Sequence, residues 1–308
     1  MNVSSAFLGD MMDIEKIKTR YRILDSEKIT SGFSKDEKIV LTDAFDRKYL
    51  LRISDKENLT KKYEQCILLK KLNEKKLPVP QPVQAGMLDD GRCFILLTYL
   101  SGSDVAESFE YMKNNDIYET GVQTGRILKE IHSIEIPENE MSWYQKILNK
   151  KDKKIEKLLS CTERITMQDE ILEFYEENTK LMENRPQVYC HSDFHINNFI
   201  IDGDKIKIID FDKCKIADPY DEFKPYCWNV IVNEYFETGI IDGYFENNIP
   251  DDFFQILKYY TAESMISHLP WAMNFGEQEI RIANQINALQ LAWWDNLKAD
   301  VPKWYKKI

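Results

Sequence analysis

The sequence predicts an α+β chain of two lobes: a small N-terminal lobe with a five-stranded antiparallel sheet and one main helix, then a larger, mostly helical C-terminal lobe. Three observations carry this. Short β-branched and aromatic segments fill the first hundred residues and enclose a single helical stretch. The texture turns helical after Ser101-Gly102-Ser103. The 308-residue length suits two lobes better than one small module.

Residues 10–20 read as a short amphipathic helix. The segments Ser26–Thr30, Lys38–Thr42 and Lys48–Ile53 follow as a three-stranded meander, with Asp43–Arg47 as a turn. From Leu59 to Leu72 the residues Ile67, Leu68 and Leu72 recur at helical spacing, and this helix must end before the prolines at 78, 80 and 82. Pro82–Met87, the turn Leu88–Arg92 and the apolar run Cys93–Leu100 complete the sheet as a hairpin. The expected bounds are 1–97 for the N-terminal lobe, 98–103 for a hinge and 104–308 for the C-terminal lobe. Within the latter, helices are expected near 116–133, 142–160 and 167–183. Gly121 and Gly125 share a face with Leu128 and His132, which implies a close approach of backbones. A β interlude covers Gln187–Ile209, with a hairpin turn at Asp202-Gly203-Asp204, and helices resume from about Asp221.

The composition, 43% hydrophobic and 30% charged, is that of a globular chain. The formal net charge of −11 is unevenly spread: residues 1–100 balance at +3, and the remainder at −14. An acidic C-terminal two-thirds argues against nucleic acid or an anionic membrane as partner and favours a cationic small molecule. The six cysteines are widely separated, with no Cys-x-x-Cys pair, and read as free thiols in a reducing cytoplasm. The N-terminal stretch carries acids where a signal peptide needs an apolar run, and no segment approaches membrane-spanning length.

Residues 190–212 carry the chemistry: His191-x-Asp193, four residues, Asn198, a hairpin, then Ile209-Asp210-Phe211-Asp212. Phosphoryl transfer needs a carboxylate to orient the attacking hydroxyl and accept its proton, and oxygen ligands for Mg²⁺ on the phosphates. Asp193 can supply the first, and Asn198 and Asp210 the others. Each residue alone could equally be a turn-former capping a strand end; their joint spacing after a sheet-plus-helix lobe favours chemistry.

The segment His191-Ser192-Asp193-Phe194-His195-Ile196-Asn197-Asn198, with Ile209-Asp210-Phe211, resembles the aminoglycoside phosphotransferase and choline kinase superfamily, whose pattern is His-Gly-Asp-x-His-x-x-Asn followed by Ile-Asp-Phe. The resemblance implies a bilobal, protein-kinase-like fold, ATP or GTP as donor, Mg²⁺, and a small-molecule hydroxyl as acceptor. By that likeness Asp193 is catalytic, Asn198 and Asp210 are metal ligands, and His191 braces the loop. Ser31-Gly32-Phe33-Ser34 looks like the loop over the nucleotide phosphates. Arg52 matches the third-strand lysine that contacts phosphate, and Glu64 matches the helix glutamate paired with it. Thr98 and Leu100, at the hinge, complete the nucleotide-binding set. Arg52 is a departure, because it keeps the charge but presents a bulkier, bidentate fork. In Ala217–Phe223 the family acid beyond the Asp-Pro turn falls on Glu222, with Asp221 immediately before it, so two carboxylates compete for one structural role. Asp212 is either a helper for a second metal or a surface hydrogen-bonding residue.

The expected activity is therefore transfer of a γ-phosphate to a hydroxyl of an aminoglycoside. The alternatives are a kinase of choline or another metabolite alcohol, and a catalytically silent nucleotide-binding protein.

Overall fold

The computed structural model describes residues 13–30, 34–138 and 141–306. In chain order it contains helix α1 (Ile14–Arg20), strands β1 (Ile23–Ile29), β2 (Glu37–Asp43) and β3 (Lys48–Ser54), helix α2 (Leu59–Glu74), and strands β4 (Pro82–Met87), β5 (Cys93–Thr98) and β6 (Ser103–Asp104). Helices α3 (Val105–Ser108), α4 (Asn114–His132), α5 (Trp143–Leu159) and α6 (Gln168–Glu177) follow. Strands β7 (Val188–Cys190), β8 (Phe199–Asp202), β9 (Lys205–Ile208) and β10 (Lys215–Ala217) come next, then helices α7 (Tyr226–Val232), α8 (Glu234–Phe245), α9 (Phe253–Ala272) and α10 (Glu277–Trp293). The chain divides into two compact units. The first takes the chain up to Asp104 together with Phe199–Asp212; the second takes Val105–Asn198 and the chain from Lys213 onward.

The first unit is built on an antiparallel sheet in the order β1-β2-β3-β5-β4. The five strands and α2 fall where the alternation and helical spacing place them. Along β3, Tyr49, Leu51 and Ile53 enter a core with Leu41, Phe94, Leu96 and Ile17. Alternation therefore sends Arg52 to the other face of the sheet, where it stands in register with Lys38 on β2 and Ile95 on β5. On α2 the buried residues Lys62, Gln65, Cys66 and Leu69 repeat at helical spacing. Asp13 caps α1, its carboxylate accepting from the Lys16 amide at 2.6 Å.

The β8–β9 hairpin turns at Asp202–Asp204, as its Asp-Gly-Asp sequence requires. It belongs with the first unit because β8 pairs with β6, Ser103 opposite Ile201, and because the Ile208 amide donates to the Pro78 carbonyl at 2.9 Å. A two-residue strand such as β6 has no periodicity to read, so this pairing is not visible in the sequence.

In the second unit, α4 and α8 approach until their backbones touch. A Cβ on Gly121 would lie 2.2 Å from the Phe236 carbonyl oxygen, and one on Gly125 would lie 2.0 Å from that of Ile240. Gly239 and Gly243 answer from α8, each with 2.2 Å to a carbonyl of α4. Any side chain at these positions would force the helices apart. The helix expected over 167–183 stops at Glu177: Asn178 turns its amide back onto the Phe174 carbonyl, and a 3₁₀ turn takes over at Thr179–Met182. β7 pairs with β10, Cys190 opposite Lys215. Among the described residues no helix is long and apolar enough to cross a membrane.

Candidate active site

The first unit gathers a network of buried charge. Arg52 is only 2% exposed, and its guanidinium reaches Asp36 Oδ2 at 3.1 Å, Asp210 Oδ1 at 2.5 Å, Asp212 Oδ2 at 3.3 Å and Ser34 Oγ at 3.3 Å. Lys62, equally buried, binds Asp36 and Asp212 at 2.7 Å each. Lys38 stands 4.0 Å from Asp210 Oδ2. Burial alone would lower the pKa of Arg52, but the charges of Asp210, Asp212 and Asp36 outweigh it and raise the pKa. Burial would likewise raise that of Asp212, and Arg52 and Lys62 reverse the shift. Asp210 follows β9 with φ of 60°, a left-handed conformation that aspartate tolerates better than most residues.

Glu64 is not the partner of Arg52. It lies on the exposed side of α2, two residues along from the inward-facing Lys62. A helix turns about 100° per residue, so a two-residue offset points nearly away from the sheet. The helical stripe Lys62, Gln65, Cys66, Leu69 was the available signal for Lys62. Ser31, Gly32 and Phe33 lie outside the described residues. Thr98 ends β5, its hydroxyl accepting from the Gln81 amide at 2.8 Å, and Leu100 is half-buried.

The second unit holds the loop from His191 to Asn198. Glu222, 1% exposed, accepts from the His191 amide at 2.6 Å through Oε2 and from the Ser192 amide at 2.7 Å through Oε1, with His132 Nε2 at 3.3 Å. Its neighbour Asp221 faces the other way and pairs with Lys215 and Lys224. Glu222 therefore takes the structural role, and Asp221 does not. A second brace comes from Asn229, whose Oδ1 accepts from the Ile196 amide at 2.6 Å while its Nδ2 donates to Glu237 at 2.6 Å. Burial pushes the pKa of Glu237 up to about 8.

Asp193 hangs from this braced loop. Lys213 Nζ lies 2.9 Å from its Oδ1, His195 Nε2 lies 3.5 Å from the same oxygen, and Asn198 Nδ2 donates to Oδ2 at 3.2 Å. Burial pushes its pKa up, but His195 and then Lys213 more than offset this and hold the carboxyl well below the ordinary carboxylate range. Asn198 Nδ2 also donates to the Asp193 carbonyl at 2.8 Å. With its nitrogen committed to Asp193, the amide turns its oxygen away, where it can serve as a ligand to a hard cation. Lys213 was not visible as a partner of Asp193, since nothing local aims its long side chain.

Ser192 stands where the resembling family has glycine, and its φ of 67° supplies the reason for that glycine. It also lines a cavity of about 360 Å³ within the second unit, together with Lys215, Lys224, Trp228, His268 and Trp271.

A family model described as "Phosphotransferase enzyme family" matches residues 25–247, most of the chain, including Arg52, Asp193, Asn198 and Asp210. This chain belongs to the phosphotransferase enzyme family. The phosphotransferase also has solved structural relatives. The aminoglycoside phosphotransferase APH(2'')-Ib, ADP-bound, is 17% identical, with 90% of this chain and 97% of that chain covered and a TM-score of 0.62. The aminoglycoside phosphotransferase APH(4)-Ia is 14% identical, with 90% and 96% covered and a TM-score of 0.68. A putative fructosamine-3-kinase from Haemophilus somnus 129PT is 16% identical, with 88% and 92% covered and a TM-score of 0.63. At these identities the likeness is one of fold. No curated protein matches.

The acids that suggested a cationic acceptor are engaged inside the phosphotransferase. Asp218 pairs with Arg185, Glu263 with Lys224 and Lys154, and Asp242 with the hydroxyls of Tyr118 and Tyr305. With Asp221, Glu222 and Glu237 they are all buried, so none presents a free carboxylate to solvent.

Proposed function

We propose that this phosphotransferase is a small-molecule kinase, moving the γ-phosphate of ATP or GTP onto a hydroxyl with Asp193 as the catalytic carboxylate. The observation that carries the reading is the pairing of Asp193 with Asn198: the carboxylate is ionised and fixed, and the amide oxygen beside it is left for a metal. Asn198 and Asp210 would hold Mg²⁺, and their oxygen donors suit it. Mg²⁺, when bound, offsets phosphate charge. Asp193 orients the attacking hydroxyl and takes its proton late, which needs little basicity because the transition state is loose. Arg52, with Lys62 behind it, is the phosphate-binding cation. Ser34, Thr98 and Leu100 contribute to the nucleotide site, as do Ser31, Gly32 and Phe33, while Glu64 stays outside it.

Two acceptor readings follow. The solved relatives that carry aminoglycoside phosphotransferase titles favour an aminoglycoside hydroxyl and a place in antibiotic resistance. The lysines lining the second-unit cavity favour a metabolite alcohol instead. Transfer of labelled γ-phosphate from ATP and GTP should be measured over aminoglycosides, macrolides, choline and sugars, with and without Mg²⁺. Asp193→Ala should lower kcat on any accepted substrate by roughly 10²–10⁴-fold. Near-normal kcat in that variant would sink the assignment.

A further inference from the structure

The second-unit cavity is built the wrong way round for a polycation. Its lining carries two lysines, Lys215 and Lys224, whose side chains are 44% and 25% exposed, and one carboxylate, Asp221, which is 3% exposed, with Glu263, 1% exposed, paired to Lys224. The lysines are therefore the more accessible charges of the lining. The lining is positive on balance, two lysines against one acid. Neither lysine lining the cavity has used all three of its N–H donors on these carboxylates. Lys215 bonds to Asp221 at 2.8 Å, and Lys224 bonds to Asp221 and to Glu263 at 2.7 Å. Burial lowers the pKa of His268, so its ring is a neutral wall. Trp271 packs at a tilt against His268 and Phe275 with centroids 5.9 Å and 4.6 Å apart, and it is 39% exposed. Ser192 lines the same cavity and directly precedes Asp193.

We propose that this cavity receives the acceptor and selects one bearing an anionic group, a carboxylate or a phosphate, held by Lys215 and Lys224 with its apolar portion against Trp271. The proposal rests on the kinase reading for the acceptor's hydroxyl, but the recognition itself needs no nucleotide. A charge-assisted hydrogen bond at such a site gives both strength and direction. An ammonium in the same position would face the lysines directly, and like charges at close range are costly.

The test uses three probes that share a phenol ring and differ in one group: 4-hydroxyphenylacetate, tyramine and tyrosol. Their binding to the full chain is followed by tryptophan fluorescence and by calorimetry without nucleotide. The acetate should bind about tenfold more tightly than tyramine, with tyrosol between them. Lys215→Met should reduce that preference to within about twofold, and Lys215→Arg should retain it. Trp271→Ala should weaken all three probes alike, a change on a half-exposed ring that leaves the fold standing. Tyramine binding as tightly as the acetate would overturn the proposal, and so would a preference that survives Lys215→Met. Asp193-dependent phosphate transfer is measured separately, so loss of this proposal would leave the kinase assignment intact, and loss of transfer would not touch the binding result.

Discussion

The charged network of the first unit and the His191–Asn198 loop of the second are held by different physics. Around Arg52 and Lys62, positive side chains meet Asp36, Asp210 and Asp212 in ion pairs that a phosphate or a metal could exchange. Around Asp193 the loop is fixed through its backbone, by Glu222 on the amides of His191 and Ser192 and by Asn229 on that of Ile196. Ion pairs between side chains can be redistributed without moving the chain. Amides pinned by buried acceptors cannot, because each one left unmade costs about 1–3 kcal/mol. The charged network of the first unit is thus built for exchange, and the His191–Asn198 loop of the second for rigidity.

Removing a charge from the exchangeable network is the harshest way to break this contrast. Lys62→Met leaves the half-buried Asp36 and Asp212 with one cation fewer, and should cost about 3 kcal/mol by denaturant midpoint. Lys62→Arg should recover most of that loss. A Met variant as stable as the wild type would mean that Lys62 carries no such burden.

The rigid side can be sharpened with Glu222→Gln. An amide there presents a donor to one of two backbone donors, so stability should fall by about 1–3 kcal/mol and kcat should fall with nucleotide affinity kept. Unchanged kcat would free the loop from this brace.

Glu237 adds a pH signature to the same side. Its folded pKa of about 8 lies above the ordinary glutamate value, so the folded state holds a proton that the unfolded state releases. Its contribution is complete below the ordinary glutamate pKa and is lost as pH rises toward 8. The wild type should therefore melt at a lower temperature at pH 8 than at pH 6, and Glu237→Gln should narrow the difference. Equal slopes in both proteins would place the proton elsewhere.

The smallest effect belongs to Ser192. Relieving its left-handed backbone with Ser192→Gly should raise stability by less than about 1 kcal/mol, since the relief is partly offset by added freedom in the unfolded chain. A clear loss of stability would show that the side chain matters more than the backbone.

What the sequence disclosed follows the range of the forces involved. The strands, the glycine face of α4 and the Asp193–Asn198 spacing are written in neighbouring residues, and all appear in the structure. The partners of Arg52 are not local: Asp210 lies 158 residues away, and matching by family pattern pointed to Glu64 instead. The choice between Asp221 and Glu222 turned on a 3₁₀ turn at Pro219–Phe223 that sends adjacent carboxylates in different directions. The charge count beyond residue 100 says least, because net charge does not record which carboxylates are buried against lysines.

Exchange on one side and rigidity on the other can be separated by titrating ATP, with and without Mg²⁺, into the wild type, Asp193→Ala and Asp210→Ala. The expected result is an ATP affinity in Asp193→Ala within about twofold of the wild type, and in Asp210→Ala a loss of most of the affinity that Mg²⁺ confers. Equal Mg²⁺ dependence in all three proteins would contradict the division of labour between Asp210 and Asp193.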